Sequence, residues 1–373
     1  MNPIGLYLHI PFCDGKCAYC NFFSRRPINQ CIGDFSELSE YTGYLIESIR
    51  SWGKHIDRSV DTVYFGGGTP SLLGHKRLIK IMDAVFDSFD VEKNAEITVE
   101  VNPSSTNTLD FSALRAAGFN RLSIGLQSAN DKELKVLGRR HSADDARSTV
   151  QRAQRAGFDN ISLDMMLAVP EQTSNSLDRT LDFCASRHVQ HISAYILKIE
   201  EGTRIFDIKD QLQLFSDDEQ AAFYEHSVAK LAALGFQQYE ISNFARPGYE
   251  SRHNLHYWHD DEYLGLGPSA HSFLDGRRFY YDSDFHNFYE NRVCDESAGG
   301  DSDEYIMLAL RLTEGLVLER FKSRFGYPVD SKLIDAAKRL AQHDLCRVSD
   351  TAIALTVKGF LVCNAVIAYL LSG

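Results

Sequence analysis

Over the first 200 residues, short β-branched or aromatic runs alternate with segments of helical period. GLYLHIP (5–11), DTVYFGG (61–67), EITVEVN (96–102), RLSIGLQ (121–127), NISLDMM (160–166) and HISAYIL (191–197) read as strands. Between them HKRLIKIMDAVFDSF, DFSALRAAG, SADDARSTVQRAQRAG and SNSLDRTLDFCASR carry apolar residues at helical spacing. Two of these helices close with Ala-Gly just before the next strand, where a helix C-terminus favours glycine. After the first long crossover the strands recur at roughly 30–40 residues, the length of a βαβ unit. Near-continuous apolar strands interleaved with helices predict a parallel sheet with covered faces. Six such units predict an α/β fold, a partial (β/α)6 barrel with its functional residues at the C-terminal ends of the strands.

Beyond residue 200 the rhythm changes. DDEQAAFYEHSVAKLAALG reads as a helix and QQYEISNFA as a further strand, whereas RHNLHYWHDDEYLGLGPSAHSF (252–273) fits neither period. VCDESAGGDSDE (293–304) is acidic and rich in Gly and Ser, the composition of a linker. After it, EYIMLALRL, LERFKSRFG, SKLIDAAKRLAQHDL and KGFLVCNAVIAYLL read as helices and CRVSDTAIALT as a hairpin. The expected division is a barrel over 1–210, an extension over 211–292 and a smaller, mainly helical, winged-helix-like C-terminal domain over 293–373.

A net charge of −12 argues against a nucleic-acid surface. The N-terminus has no basic segment leading into an apolar run, so no secretory signal is expected. The longest apolar stretch, GFLVCNAVIAYLL, is too short to span a bilayer and contains Asn364, so neither is stable membrane insertion. A cytoplasmic protein is the expectation. Five of the eight cysteines are scattered (Cys31, Cys184, Cys294, Cys346, Cys363), and in a reducing compartment these read as small buried residues or bystanders.

The other three form CDGKCAYC, with Cys13, Cys17 and Cys20 on one loop directly after the first strand. Each iron of a [4Fe–4S] cube takes one external ligand, so three thiolates hold three irons and leave the fourth open. An open position is what a catalytic metal site keeps for its substrate. Zinc binding is the rival reading and would need a fourth ligand, His9 being the nearest histidine.

The spacing, with Tyr19 before the last cysteine, resembles the signature of the radical S-adenosylmethionine (SAM) superfamily. That resemblance implies that SAM chelates the open iron and is cleaved, after electron transfer, to methionine and a 5′-deoxyadenosyl radical. YFGGGTPS (64–71) resembles the superfamily's glycine motif, and its Gly67, Gly68 and Thr69 are expected to bring backbone N–H groups to the cofactor. GGGTP is similar to the form found in the oxygen-independent coproporphyrinogen III oxidase branch. The same branch implies a SAM-site tyrosine at Tyr7 (YLHIPFC) and a SAM-bonding glutamate at Glu100 (EVNP). It also implies pocket residues at Gln127 (GLQS), Arg139 (LGRRH) and Asp164 (LDMMLAVPEQT). Gly68, Thr69, Gln127, Arg139 and Asp164 are taken as cofactor-pocket residues, without assignment to a first or a second SAM.

Two departures from the oxidase pattern direct the reading to a sister group. The oxidases carry a fourth cysteine one residue after the third, where this chain continues Cys20-Asn21-Phe22. RHNLHYW supplies His-Asn-x-x-Tyr-Trp (His253, Asn254, Tyr257, Trp258), similar to the motif of the oxidase-like radical-SAM heme chaperones. The longer N-terminal arm of the oxidases is also expected to be absent. The resemblance implies a protein that retains cluster and SAM, binds heme and delivers it to acceptor apoproteins. His253 is the candidate iron ligand, with His256, His259, His271 and a stray cysteine as rivals. The alternatives are oxidative decarboxylation of coproporphyrinogen III to protoporphyrinogen, or radical-SAM chemistry on another substrate. The C-terminal helices are candidates for recognising the acceptor, covering the barrel mouth or forming a homodimer.

Overall fold

In the computed structural model of the protein, which describes residues 2–28, 37–106 and 109–372, six parallel strands follow one another in chain order. They are β1 (Ile4–Ile10), β2 (Val60–Gly67), β3 (Val91–Val101), β4 (Arg121–Gln127), β5 (Asn160–Leu167) and β6 (His191–Ile196). Strands, helices and crossovers alternate as the sequence rhythm predicts, and the α/β barrel-type fold follows.

Successive residues of a strand point to opposite faces. One face is apolar: Leu6 and Leu8, Val63 and Phe65, Ile97 and Val99, Leu122 and Ile124, Ile161 and Leu163 are all buried, in one core with Leu45, Ile49, Leu78 and Ile81 of the covering helices. The opposite positions are polar, among them Tyr7, His9, Thr62, Tyr64, Glu96, Glu100, Arg121, Ser123, Asp164, His191 and Ser193. The near-continuous apolar strands expected from the sequence are therefore corrected. These strands alternate, and their concave face encloses a column of hydrogen-bonding groups. Register sets its levels, placing Gly66 beside His9, Ser123 beside Glu100, and Asp164 between Gly125 and Ser193.

Both ends of the six-strand sheet are extended rather than joined to each other. β7 (Gln237–Gln238) and β8 (Asn243–Ala245) continue antiparallel beyond β6. β9 (Tyr263–Leu266) pairs parallel with β1, and β10 (His271–Leu274), β11 (Arg277–Tyr280) and β12 (Cys294–Ala298) follow antiparallel. Two sequence expectations change here. The stretch 293–304 is not a linker throughout, because β12 occupies its first half as a solvent-facing edge strand, where polar composition is normal. The stretch 252–273 resolves into a helix, Arg252–Trp258, followed by β9 and β10; the short lengths of these elements hide their periods.

The C-terminal portion packs helices Ser302–Ala309, Leu318–Phe325, Ser331–Ala341, Val357–Leu361 and Cys363–Ser372 around a small antiparallel sheet. That sheet consists of β13 (Leu316–Val317), β14 (Cys346–Val348) and β15 (Ala352–Leu355), the last two forming the expected hairpin. It joins the barrel through Ile241 N–H to Arg311 O (2.9 Å), Thr313 N–H to Tyr239 O (3.0 Å) and the Arg324–Asp260 ion pair (2.7 Å). Cys184, Cys346 and Cys363 are buried free thiols, Cys294 is half-buried and free, and Cys31 lies outside the described residues. Among the described residues no helix is long and apolar enough to cross a membrane.

Candidate cofactor site at the C-terminal ends of the strands

The cysteine loop is held by the fold at three points. Cys13 N–H donates to Arg25 O (3.0 Å) and Arg25 N–H to Pro11 O (2.9 Å), closing the loop on itself. In the middle, Ala18 N–H donates to Leu137 O and Ile205 N–H to Ala18 O, both at 2.9 Å. The Ala18 methyl sits in a small apolar cluster with Leu137, Met166, Val169, Leu197 and Ile205, and Tyr19 packs against it. Cys13 and Thr69 lie side by side, with Sγ and Oγ1 3.2 Å apart. Arg139 reaches the loop from the far side: Nη1 donates to Cys17 Sγ at 3.5 Å, and Nη2 to Gly125 O (2.9 Å) and Asn102 Oδ1 (3.2 Å). Its buried Nε has no partner among the described residues.

The donor set fits an iron–sulfur cluster. Burial pushes the Cys13 and Cys20 thiols up from their ordinary value, so a metal centre is what would hold them as thiolates. A guanidinium against Cys17 suits the negative charge that three thiolates bring.

The glycine turn lies directly beside the loop. A Cβ on Gly67 (φ +108°) would fall 2.7 Å from the His9 ring, and one on Gly68 2.7 Å from Phe12 O. The turn therefore excludes side chains altogether. Two of its N–H groups are engaged within the protein, Gly68 with Ile10 O (2.8 Å) and Gly67 with Glu100. The glycines serve close approach, and the Glu100 carboxylate stands at the surface they create.

Glu100 also accepts from Tyr64 Oη (2.9 Å). Burial first, and the Asp164 carboxylate second, push its pKa up to about 8, against the Tyr64 and Gly67 hydrogen bonds and the Arg121 charge. Asp164 accepts from Ser123 Oγ (3.1 and 3.2 Å to its two oxygens) and is raised by burial, with Ser193, Ser123, Arg121 and Arg139 opposing. Tyr7 Oη donates to His9 Nδ1 (3.0 Å) and His9 Nε2–H to Phe23 O (3.2 Å), while burial lowers His9 to about 4, which keeps the ring neutral. Gln127, at φ +66° on the bulged end of β4, shares with Arg139 the space above Gly125.

Two buried carboxyls with raised pKa values have a measurable consequence. A carboxyl whose folded pKa stands near 8, above its ordinary 4.5, stabilises the fold fully below about pH 4.5 and loses that contribution as pH rises through 8. Buried Glu240, pushed up to about 7 chiefly by burial, acts in the same direction. Urea unfolding of the ligand-free protein is expected to show stability falling between about pH 6.5 and pH 8, above the range where the buried neutral histidines such as His9 give the opposite slope, by at most about 1.4 kcal/mol per pH unit for each carboxyl. Glu100→Gln and Glu240→Gln should each flatten the slope; a slope untouched in the double variant would show that neither group titrates there.

The structure thus gathers Tyr7, Tyr19, Gly67, Gly68, Thr69, Glu100, Gln127, Arg139 and Asp164 with the three cysteines at one end of the sheet. His253 lies beneath this group, against the rings of Tyr64 and Tyr7. It lies on helix Arg252–Trp258, against the N-terminal ends of β1 and β2, only 1% exposed. Its Nδ1 is 2.8 Å from Thr62 Oγ1 and its Nε2 2.8 Å from Tyr257 Oη. Both ring nitrogens of this candidate heme ligand are taken up by these hydrogen bonds. Its backbone N–H and that of Arg252 donate to Glu96 (3.2 Å each), itself 4.0 Å from the buried guanidinium of Arg121.

Sequence reasoning missed Tyr64, Ser123, Asn102, Glu96 and Arg121. The signal for four of them was present as polar residues at alternate strand positions; Asn102, just beyond β3, carried none.

Residues 7–184 match the family model of the Radical SAM superfamily and residues 303–362 that of the HemN C-terminal domain. The chain is 34% identical to the heme chaperone HemW of Bacillus subtilis, over 96% of this chain and 97% of that protein. It is 35% identical to HemW of Mycobacterium tuberculosis strain H37Rv, over 99% of this chain and 95% of that protein. Among solved structures it is similar in fold to coproporphyrinogen III oxidase (HemN) from Escherichia coli, with a TM-score of 0.82 at 22% identity, covering 99% of this chain and 90% of that one.

Proposed function

The chain belongs to the HemW heme chaperone family within the radical SAM superfamily, and from that premise we propose that it binds heme and hands it to acceptor proteins, on a scaffold that holds an iron–sulfur cluster and SAM. The observation that carries this reading is the end-to-end similarity to relatives of that name, which takes in barrel, edge strands and C-terminal domain alike.

Cys13, Cys17 and Cys20 would hold a [4Fe–4S] cluster, which supplies one-electron chemistry and an open iron when bound. Around it the chain offers acceptors in Glu100 and Asp164 and a fixed cation in Arg139, a set suited to a zwitterionic ligand such as SAM. Tyr7 and Tyr64 wall the pocket from below, and the bare backbone at 66–68 leaves room above Glu100. Heme is the cargo. Phe22 and Ile28, 71% and 72% exposed next to the cysteine loop, offer apolar surface to a flat porphyrin at this end of the sheet.

Titration of the pure protein with hemin is expected to give a saturable Soret shift at one heme per chain. The loaded protein should then transfer heme to an apo-acceptor such as apomyoglobin faster than free hemin partitions from buffer. No Soret shift with stoichiometric hemin would sink the reading. Anaerobic turnover of coproporphyrinogen III to protoporphyrinogen, with reconstituted cluster, SAM and a strong reductant, would assign the oxidase reaction instead.

A further inference from the structure

His253 forms the floor beneath the cofactor site. Its ring lies 5.1 Å from that of Tyr64 at an interplanar angle of 22°, and 6.3 Å from that of Tyr7 at 26°. Tyr64 in turn stands directly under Glu100, to which its hydroxyl donates. Above, Tyr64 has no slack, since a Cβ on Gly66 would already sit 2.9 Å from its ring and 3.2 Å from Glu100 Oε1. Below, the imidazole is locked by Thr62 and Tyr257 and its helix start by Glu96. A Cβ on Gly5 would come within 3.3 Å of the same ring, so β1 also leaves it no room to move.

We propose that His253 is a positioning residue of the SAM pocket: it supports the Tyr64 ring from beneath and so holds the Tyr64–Glu100 hydrogen bond in place. The inference rests on the reading above only in taking the Glu100 pocket as the SAM site. It gives the His-Asn-x-x-Tyr-Trp helix a task in cofactor binding and places heme iron ligation elsewhere. Removing the imidazole opens a void below Tyr64, the ring drops, and Glu100 loses its donor. Tyr64→Phe removes the same hydrogen bond from above while leaving the floor intact, which makes the two substitutions steps on one path.

The test measures SAM dissociation constants by equilibrium dialysis on cluster-reconstituted full-length protein, for wild type, His253→Ala, His253→Gln, Tyr64→Phe and the His253→Ala/Tyr64→Phe pair. Each single variant except His253→Gln is expected to weaken SAM by about tenfold, the upper end of what one hydrogen bond contributes. His253→Gln, which keeps a donor and an acceptor, should recover part of it. The double variant should bind no worse than the weaker single one, since both act through the same bond. Iron content and hemin binding should match wild type throughout.

Unchanged SAM affinity in His253→Ala, or losses that multiply in the double variant, would overturn the proposal while leaving the heme reading intact. Loss of hemin binding alone in the His253 variants would return that residue to iron ligation. If His253→Ala fails to fold, Tyr64→Phe and His253→Gln still decide the matter: equal affinity to wild type in both overturns it. A wild-type protein that binds hemin but not SAM overturns this inference without touching heme binding.

Discussion

Cys17→Ala is expected to strip the protein of its cluster while leaving the fold almost untouched. After anaerobic reconstitution the variant should retain less than about one tenth of the wild-type iron and sulfide, an effect at least as large as that of losing a group that merely orients a metal ligand. The visible thiolate-to-iron absorption should vanish with them. The fold should survive because the loop is not held by its sulfurs. Ala18 is tied to Leu137 and Ile205 by backbone hydrogen bonds, and Cys13 N–H to Arg25 O. What changes on removing Sγ is the partner of Arg139, whose Nη2 keeps Gly125 O and Asn102. Thermal melting of the cluster-free proteins should therefore agree within a few degrees. Cys294→Ala, far from the site in sequence and on the outermost strand, is the matched control and should load as wild type. Full iron and sulfide in Cys17→Ala would remove this loop from cluster binding.

The second large effect concerns stability. Arg121 is 2% exposed and its guanidinium faces Glu96 across 4.0 Å, with Glu96 only 6% exposed. Arg121→Met leaves that carboxylate buried without a cation, a situation that typically costs about 3–5 kcal/mol. Two backbone N–H groups of the Arg252–Trp258 helix still reach Glu96, which argues for the lower half of that range. Adding Glu96→Gln should restore much of the loss, because a neutral amide no longer needs the guanidinium. Urea unfolding of the two singles and the double closes the cycle. A loss below about 1 kcal/mol in Arg121→Met would mean that the pair is solvated and does not hold the floor together.

Much of this was legible beforehand because it depends on neighbours in the chain. Six strand positions and the crossovers between them follow from local runs of residues, and the three thiols share one eight-residue loop. The Gly-rich turn and the ends of β3, β4 and β5 could be placed by the same logic, since functional residues of such sheets collect where strands end. Composition misled where it stands for solvent exposure rather than for disorder: the acidic 293–304 stretch looked like a linker and contains an edge strand.

The order of strands, the cysteine loop and the meeting of residues at the cofactor end are each set by local periodicity and by spacing within a few residues. What lies beneath them depends on contacts between distant parts of the chain. His253 is separated from Thr62 by 191 residues and Arg252 from Glu96 by 156, and no local pattern links such positions. That the His-Asn-x-x-Tyr-Trp helix closes the floor follows from β9 pairing with the outer edge of β1, which carries the preceding helix under the sheet. Once there, the imidazole must satisfy both nitrogens within a dry interior, because leaving either unpaired would cost the full desolvation of that group. Thr62 and Tyr257 meet that need, and a residue that reads in sequence as an iron ligand becomes part of the floor.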